Sequence, residues 1–227
     1  MLVNQWMSRP PLTITPKDNM LTARAMMDQY NVRALPVVKD NKLIGLLTDR
    51  DLKRAEASDA STLDVYELSY LLERVEVASI MTRDPMTLPI DATLSEAASI
   101  FLEHKLEAAP VMVEKKQLVG MITRTDIERA FLTLTAFGRR GVQFGIRIDD
   151  TPGAVMDILT IVNNSGARLA SLMTTNGSST RNKREVYVHM YEVNRDQLPD
   201  LAEELGLKGT LLYVVDLKTG ERRMFIQ

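Results

Sequence analysis

Short apolar runs alternate with amphipathic stretches along the first 137 residues, and the pattern occurs twice. Polar residues at 17–19 precede apolar residues at helical spacing, which predicts a helix. Brief apolar runs separated by polar turns predict strands. The predicted elements are a helix ending near Asn31, strands at 35–38 and 43–48, a helix from about Leu94 to Lys105, and strands at 110–113 and 118–123. Each copy therefore predicts a small sheet with two helices.

The two copies also share a sequence motif. Residues 45–51 and 120–126 both read Gly, two apolar residues, Thr, two further residues, Asp, and Thr123 follows Thr48 by 75 positions. At an offset of 74, residues 7–9 (Met-Ser-Arg) match residues 81–83 (Met-Thr-Arg), with one extra residue near Gln117. Such self-similarity indicates a duplicated unit. We place the first repeat at 1–76, including an amphipathic helix through Tyr66, Leu68, Leu71, Leu72 and Val75 that packs the units together, and the second at 77–137.

The motif places a hydroxyl where a strand passes into a helix and a carboxylate in the first turn of that helix. The Thr48 hydroxyl and the free backbone N–H groups there suit an anion such as phosphate. The Asp51 carboxylate suits the helix dipole and the two hydroxyls of a ribose. A helix-capping Thr with an acid in the next turn is the simpler interpretation of one copy. Two copies with the same flanking Pro-Val strand favour a ligand.

The pattern changes after residues 138–141, where two glycines flanking two arginines predict a linker. Beyond it the predicted order is strand, helix, strand, strand, helix, strand. The predicted strands lie at 142–148, 169–174, 184–193 and 210–217, with helices at 154–163 and 197–205. This is the βαββαβ order of ferredoxin-like domains. The predicted fold class is α+β, with a second domain at 142–227.

Composition restricts the chemistry. The net charge of −2 gives no basic field for nucleic acid. The absence of cysteine excludes disulfides, thiolate catalysis and cysteine zinc sites, and the only histidines, His104 and His189, leave little material for a metal site or a catalytic triad. Glycine-rich phosphate loops are absent. No apolar run approaches 18 residues, and no signal pattern begins the chain. We therefore expect a cytoplasmic protein without a nucleic-acid or membrane partner, a metal site or an enzymatic activity.

The Met-Ser/Thr-Arg starts, the two Ala-x-Pro-Val segments and both Gly-x-x-Thr-x-x-Asp endings resemble a tandem pair of cystathionine-beta-synthase (CBS) domains, a module also called the Bateman module. The resemblance implies that Thr and Asp hold the phosphate and ribose of an adenosine compound. It also implies that the apolar residue two positions before Thr forms one wall of the adenine pocket. The expected regulatory ligand is AMP, ATP or S-adenosylmethionine, with no required cofactor. The candidate ligand residues are Thr13, Ile14, Arg33, Ala34, Leu35, Pro36, Leu46, Thr48, Arg50, Asp51, Thr87, Leu88, Ala108, Ala109, Pro110, Met121, Thr123, Arg124 and Asp126.

The two implied sites differ in charge. Nucleotide-binding relatives often carry a basic residue at the position of Arg33, where it reaches the phosphates, but the repeat-equivalent residue is Glu107. A carboxylate repels phosphate, so the pocket with Arg33 is expected to suit phosphate better. Arg50 and Arg124 are interpreted as a further basic pair in the same position of both motifs, or alternatively as solvated arginines at a helix start.

The second domain resembles an ACT domain, a regulatory module that often binds amino acids where two copies meet. The resemblance rests on Asp-x-Pro-Gly at 150–153 after a strand and Asn-Ser-Gly-Ala at 164–167 after the helix. The candidate ligand residues are Asp150, Pro152, Gly153 and Asn164. Alternatively, Pro-Gly simply makes the turn and starts the helix. Arg168 stands where amino-acid-binding ACT domains commonly have Asn, which weighs against an amino-acid pocket.

The stretch 65–72 resembles acetoin-utilisation B-type CBS proteins. We therefore expect a homodimeric, ligand-sensing regulatory protein that acts on a partner enzyme in acetoin or related carbon metabolism. Three alternatives remain at this point. One is a dimeric scaffold that senses nothing, one is an amino-acid-sensing regulatory subunit acting through the ACT domain, and one is an enzyme whose residues meet across a dimer interface.

Overall fold

The structure, a computed structural model, describes residues 1–59, 73–114, 117–176 and 182–225. The predicted helix of the insert, from Tyr66 to Val75, lies outside these residues as far as Leu72, and Val75 at its end is not helical. The chain divides into two compact units, Met1–Arg129 and Ala130–Gln227. The division lies ahead of the segment 138–141, which remains a predicted linker. In the described part of the chain, no helix is long and apolar enough to cross a membrane.

The first unit contains two copies of a helix, a β-hairpin and a second helix. Its elements are α1 (Met20–Tyr30), β1 (Ala34–Lys39), β2 (Lys42–Thr48), α2 (Asp49–Asp59), α3 (Val77–Ile80), β3 (Thr82–Arg83), β4 (Leu88–Pro89), α4 (Leu94–His104), β5 (Ala108–Val113), β6 (Gln117–Thr123) and α5 (Arg124–Leu134), which contains the division. The strands form two three-stranded sheets, β1-β2-β3 and β4-β5-β6. The predicted hairpins are present, and the helix that follows the second hairpin ends at Leu134.

Side-chain caps fix where the helices begin. The N–H of Thr22 donates to the side chain of Asn19 at 2.8 Å, so α1 begins directly after Asn19. Thr93 and Glu96 cap α4 reciprocally. Both helices end at a left-handed residue, Asn31 with φ 51° and Lys105 with φ 53°. Local sequence chemistry thus defines the helix limits.

The opening segment of each repeat completes the sheet of the other repeat. β3 pairs with β2, Thr82 lying opposite Leu46. Ser8 forms the corresponding bridge with Met121. A Cβ on Gly120 would lie 2.7 Å from the carbonyl oxygen of Ser8, so glycine is needed for this close approach. The boundary expected at residues 76 and 77 therefore separates the repeats along the sequence but not in space.

In its described residues, the second unit contains an antiparallel sheet and two helices besides the end of α5. Its remaining elements are β7 (Val142–Asp149), α6 (Ala154–Asn164), β8 (Arg168–Thr175), β9 (Lys183–Tyr191), α7 (Leu198–Gly206), β10 (Thr210–Asp216) and β11 (Arg222–Met224). The strand order is β11-β10-β7-β9-β8. Buried residues such as Phe144, Val188, Ile158 and Leu205 join β7, β9, α6 and α7 in one hydrophobic core. The short strand β11 has no counterpart in the predicted elements.

Candidate functional site

Thr48 and Asp51 form a closed pair at the start of α2. The Thr48 hydroxyl donates to Oδ2 of Asp51 at 2.6 Å, and the Thr48 N–H donates to the same oxygen at 2.9 Å. In return, the Asp51 N–H donates to the Thr48 hydroxyl oxygen at 3.3 Å. Both side chains are half-buried. This is the reciprocal capping arrangement considered from the sequence as the simpler interpretation.

The second motif has the same geometry at the start of α5. The Thr123 hydroxyl and N–H donate to Oδ2 of Asp126 at 2.6 and 2.9 Å, and the Asp126 N–H donates to the hydroxyl oxygen at 3.2 Å. The hydroxyl hydrogen of each Thr is therefore already in use. A phosphate could receive it only if the bond to Asp were exchanged, so the predicted phosphate role of Thr48 and Thr123 needs that rearrangement.

The second carboxylate oxygen of each motif Asp, Oδ1, is the atom that remains for a ligand. Among the described residues, Oδ1 of Asp51 accepts no hydrogen bond, and its lone pairs can accept from a ribose hydroxyl. Oδ1 of Asp126 accepts from Nη1 of Arg129 at 3.2 Å. The Arg129 side chain is 66% exposed, so this contact is weak and open to competition.

The two residues assigned to the adenine walls contact the same hydrophobic cluster. Leu46 and Met121 are only 8% and 6% exposed and pack with Ala108 and the half-buried Ala34. Strand pairing places Ala34 opposite Thr48 and Ala108 opposite Thr123. The apolar cluster therefore lies beside both Thr–Asp pairs. It is closed in this structure, so adenine would enter only if these side chains moved apart.

Most other apolar candidates have a structural role. Ile14 and Leu35 belong to the core of the first repeat. Leu88 and Ala109 are equally buried, at 1% and 0% exposure. Such side chains can hardly reach a ligand, so any contact would come from their backbone. Of the remaining candidates, Pro36 and Pro110 are buried, Thr13 is exposed and Thr87 is half-buried.

Arg50 and Arg124 are not equivalent, in contrast to their interpretation as a pair. Arg50 is the second residue after Thr48, whereas Arg124 directly follows Thr123. Both guanidinium groups nevertheless approach Glu107, with Nη2 of Arg124 at 3.4 Å from Oε1 of Glu107 and Nη2 of Arg50 at 4.0 Å. Arg124 also donates to the carbonyl of Leu106 at 3.0 Å. Glu107 thus lies between the arginines of the two motifs.

Arg33 lies in a different environment. It lines a polar cavity of about 270 Å³ between the end of α1 and the start of α2. Two further basic residues, Arg24 and Lys53, line the same cavity. Arg24 pairs with Glu56 at 2.5 Å, and Lys53 pairs with Asp49 at 3.2 Å. Sequence reasoning missed Arg24 and Lys53, because nothing in either motif connects these helix residues with Arg33.

The candidate ACT residues are not gathered in one place within the chain. Gly153 precedes α6 with φ 90°, a conformation that favours glycine. Nearby, Oδ1 of Asp150 accepts from Nε of Arg184 at 2.8 Å. Asn164 ends the 11-residue helix α6. At about 1.5 Å per residue, the helix separates Asn164 from Gly153 by roughly 15 Å. Within one chain, Asn164 therefore lies far from Asp150, Pro152 and Gly153, and an ACT ligand site formed where two copies meet stays a prediction.

His189 is buried in the second unit, at 2% exposure. Its Nδ1 lies 3.2 Å from the carbonyl oxygen of Thr135, which also accepts from the Ser171 hydroxyl at 3.3 Å. In the described residues, no group of three or more His, Asp and Glu side chains could hold a metal ion. His189 thus attaches the segment after α5 to the sheet.

Comparisons with known proteins agree on the first unit. The family model of the CBS domain matches residues 3–58 and 77–133. Inosine-5'-monophosphate dehydrogenase of Staphylococcus epidermidis is 37% identical over 123 residues, which cover 52% of this chain and 22% of that enzyme. The enzyme of Korarchaeum cryptofilum is 34% identical over 119 residues, with the same coverage of 52% and 22%. The chain thus matches about a fifth of the length of these curated relatives.

Two solved structures resemble the first unit. A protein from Vibrio cholerae named as an acetoin utilization protein (AcuB) is 28% identical with a TM-score of 0.51, covering 60% of this chain and 93% of that one. The CBS domain pair of protein MJ0100, in complex with 5'-methylthioadenosine and S-adenosyl-L-methionine, is 26% identical with a TM-score of 0.50, covering 58% and 95%. Residues 3–58 and 77–133 of this chain are therefore a tandem pair of CBS domains.

Proposed function

We propose that this chain is a regulatory protein that binds an adenosine compound in its CBS pair. The duplicated Thr–Asp geometry carries the proposal. Two half-buried pairs with the same 2.6 Å hydroxyl–carboxylate bond lie beside one apolar cluster, as a sugar and a base require. The similar CBS pair of MJ0100 is in complex with two adenosyl compounds, 5'-methylthioadenosine and S-adenosyl-L-methionine, which supports the ligand class.

The proposed role is binding without catalysis. The similarity to inosine-5'-monophosphate dehydrogenase covers 52% of this chain and only 22% of that enzyme. It lies in the part that carries the CBS pair. A ligand with different affinities for two arrangements of the protein would shift their populations, which is how occupancy becomes a signal.

The second unit is proposed to be an ACT domain that passes the signal to a partner enzyme. Its strand order of β10-β7-β9-β8 with two intervening helices supports a ferredoxin-like arrangement. Homodimerisation is proposed for both modules by their resemblance to CBS and ACT domains. The likeness to the AcuB protein supports a role in acetoin or related carbon metabolism.

A dimeric scaffold without a ligand is the second candidate function, and two observations favour it. The Thr–Asp pairs satisfy each other as helix caps, and the apolar cluster of Leu46 and Met121 is closed. Both features are stable without a nucleotide. The two functions therefore differ in whether an adenosine compound stabilises the folded protein.

Thermal unfolding with AMP, ATP, 5'-methylthioadenosine or S-adenosylmethionine separates these functions. A ligand that binds only the folded state adds about 2.7 kcal/mol of stability at 100 times its Kd, which raises Tm. The rise should shrink in the Asp51→Asn and Asp126→Asn variants. The matched control is Glu96→Gln, which alters a capping pair of the same kind outside the candidate site. Unchanged Tm at millimolar concentrations of all four compounds would leave the scaffold as the better explanation.

A further inference from the structure

We propose that the second unit associates with a second copy of this chain through the face of its sheet that lies opposite helices α6 and α7. This surface is called the open face below. Its central residues are Met173, Tyr187, Gly145, Tyr213, Arg147 and Glu185. The inference goes beyond adenosine binding and does not depend on the CBS sites.

Alternation along each strand gives the sheet two different faces. One face carries buried residues such as Phe144 and Val188, which pack with α6 and α7 in the hydrophobic core. The intervening residues of the strands belong to the open face. One end of that face meets the segment after α5, because the carbonyl oxygen of Thr135 accepts from the Ser171 hydroxyl at 3.3 Å and lies 3.2 Å from Nδ1 of His189. The central part of the open face is only half-buried.

A row with apolar and aromatic side chains crosses the open face from edge to edge. In order across the five strands, the row consists of Met173, Tyr187, Gly145, Tyr213 and Met224. The two tyrosine rings lie 6.3 Å apart at an interplanar angle of 25°. A Cβ on Gly145 would lie 2.5 Å from the Tyr213 ring, so glycine lets that ring lie close to the sheet. Tyrosine, methionine and arginine are enriched in protein interfaces, which this face resembles in composition.

A charged pair lies beside this row on the two central strands. Arg147 donates to Oε1 of Glu185 from Nε at 3.3 Å and from Nη2 at 2.9 Å, and the Tyr187 hydroxyl donates to Oε2 at 2.6 Å. The hydrogen bonds from Tyr187 and Arg147 hold the pKa of Glu185 below its usual value, so the carboxylate is charged at neutral pH. Among the described residues, Nη1 of Arg147 donates no hydrogen bond. The open face therefore presents one cation and one anion on adjacent strands.

The strand order makes this face complementary to itself. The strands β10-β7-β9-β8 have their midline between β7 and β9. A twofold axis along that midline places β9 of a second copy over β7, and β8 of the second copy over β10. Arg147 then faces Glu185 of the second copy, and Tyr213 faces Met173 of the second copy, each contact occurring twice. A guanidinium against a carboxylate and a thioether against an aromatic ring are both favourable.

The open face is large enough for a specific but dissociable association. Strand β7 contains eight residues. At about 3.4 Å per residue, and with four strands about 4.8 Å apart, the face covers roughly 500 Å² per copy. A pair buries roughly 1,000 Å² in total, at the lower limit of specific interfaces. We therefore expect an association that depends on protein concentration.

Reversing the charge of Glu185 tests the interface in the full chain. Glu185→Arg should weaken self-association at least about tenfold, because an arginine of the second copy then faces each Arg147. Sedimentation velocity over a range of protein concentrations measures this change. Arg147→Glu should have the same effect. An equimolar mixture of the two variants should associate again, since each guanidinium then faces a carboxylate of the other variant. A disturbance confined to one chain would persist in the mixture.

Oxidation of Met173 by peroxide shows where the copies meet, which matters because the CBS pair is also proposed to dimerise. In concentrated protein, Met173 should react about fivefold more slowly in the wild type than in Glu185→Arg, since the rate follows exposure of the sulfur. Met156 on α6 is 62% exposed and should react equally in both proteins. Asp157→Arg is the matched control, because it reverses a charge that pairs with Lys208 on the helix side and should leave the association unchanged.

A second variant keeps the test decisive if Glu185→Arg does not fold, as judged by circular dichroism. Met173→Glu retains the Arg147–Glu185 pair and should also weaken the association at least about tenfold, because it places a charge against an aromatic ring. A wild type that stays monomeric at every concentration would overturn the inference.

The inference is also overturned if the variants keep the wild-type mass and the oxidation rate of Met173 stays the same. That result would place any pairing at another surface, such as the edge strand β8. The rise in Tm with an adenosine compound should be equal in the wild type and Glu185→Arg. Failure of the open face would therefore leave the proposed function standing, and absence of adenosine binding would leave the open face standing.

Discussion

Ser8 and Met121 are paired by two backbone hydrogen bonds, although 113 residues separate them. The N–H of Ser8 donates to the carbonyl of Met121 at 2.9 Å, and the N–H of Met121 donates to the carbonyl of Ser8 at 3.1 Å. With β3 pairing to β2, each repeat depends on the other to complete its sheet. We therefore expect the two repeats to unfold together, because each sheet includes a segment of the other repeat.

Gly120→Ala should weaken the backbone pairing of Ser8 with Met121. The added Cβ would lie 2.7 Å from the carbonyl oxygen of Ser8, and a backbone atom cannot move aside as a flexible side chain does. We expect the free energy of unfolding to fall by about 1–3 kcal/mol, as in other overpacked sites. Fluorescence of Trp6, the only tryptophan, reports the unfolding of this unit in urea. Gly206→Ala in the second unit is the control for a glycine-to-alanine change without a clash, because nothing lies within 4 Å of a Cβ built there, and circular dichroism in urea follows the stability of both variants. An equal stability of the two variants would contradict the proposed close approach.

Asp51→Ala should cost stability as well as ligand affinity. The carboxylate caps α2, and loss of a helix cap costs about 1 kcal/mol. Glu96→Ala removes a cap of the same geometry on α4, so its cost should be similar, as measured by urea unfolding. Only Asp51→Ala should also reduce the rise in Tm that an adenosine compound causes. If both variants lose that rise equally, the effect comes from stability and not from a ribose contact.

Asp216 should make the second unit sensitive to acid. Arg195 donates to its carboxylate from Nε at 2.7 Å and from Nη2 at 3.1 Å, and this hydrogen bonding holds the pKa of Asp216 below its usual value of 3.8. A lowered folded pKa contributes stability above the unfolded pKa, and that contribution is lost as the pH falls through the folded value. Asp216→Asn should therefore cost about 1–3 kcal/mol at pH 7 and progressively less below about pH 4.

Hydrogen exchange of the β7 and β10 amides measures this loss in the second unit. Asp196→Asn, an exposed neighbour of Arg195, is the control and should have little effect. A cost of Asp216→Asn that stays constant from pH 7 to about pH 3 would show that the ion pair does not set the pH dependence.

The Tyr187 phenol should ionise at a higher pH than an ordinary tyrosine. Its hydroxyl donates to Oε2 of Glu185 at 2.6 Å, and this hydrogen bond, together with burial, raises the pKa of Tyr187 to about 12. Since the folded pKa exceeds the unfolded value of 10.0, the associated stability is complete below pH 10 and is lost as the pH rises toward 12. Subtracting the ultraviolet titration curve of Tyr187→Phe from that of the wild type isolates the ionisation of this phenol. In Glu185→Gln the transition should move to lower pH, and a difference titration centred near 10 in the wild type would refute the bond.

Local chemistry allowed much of this protein to be predicted. The limits of α1 and α4 follow from Asn19 and Thr93, whose side chains cap the residues directly after them. The duplicated motif was visible because the side chains of Thr48 and Asp51 act on backbone only three residues away. Interactions this short leave their pattern in the sequence itself.

Contacts between segments that are distant in the chain could not be predicted from local sequence patterns. No sequence rule pairs Ser8 with Met121, places Glu107 between Arg50 and Arg124, or brings Arg24 and Lys53 beside Arg33. The sequence by itself determined the two repeats, their helices and strands, and the chemical character of Thr, Asp, Arg and Glu at corresponding positions. Only the tertiary structure decided which repeat each opening strand joins and which charges neutralise one another, because those energies depend on distances that arise only when the chain has folded.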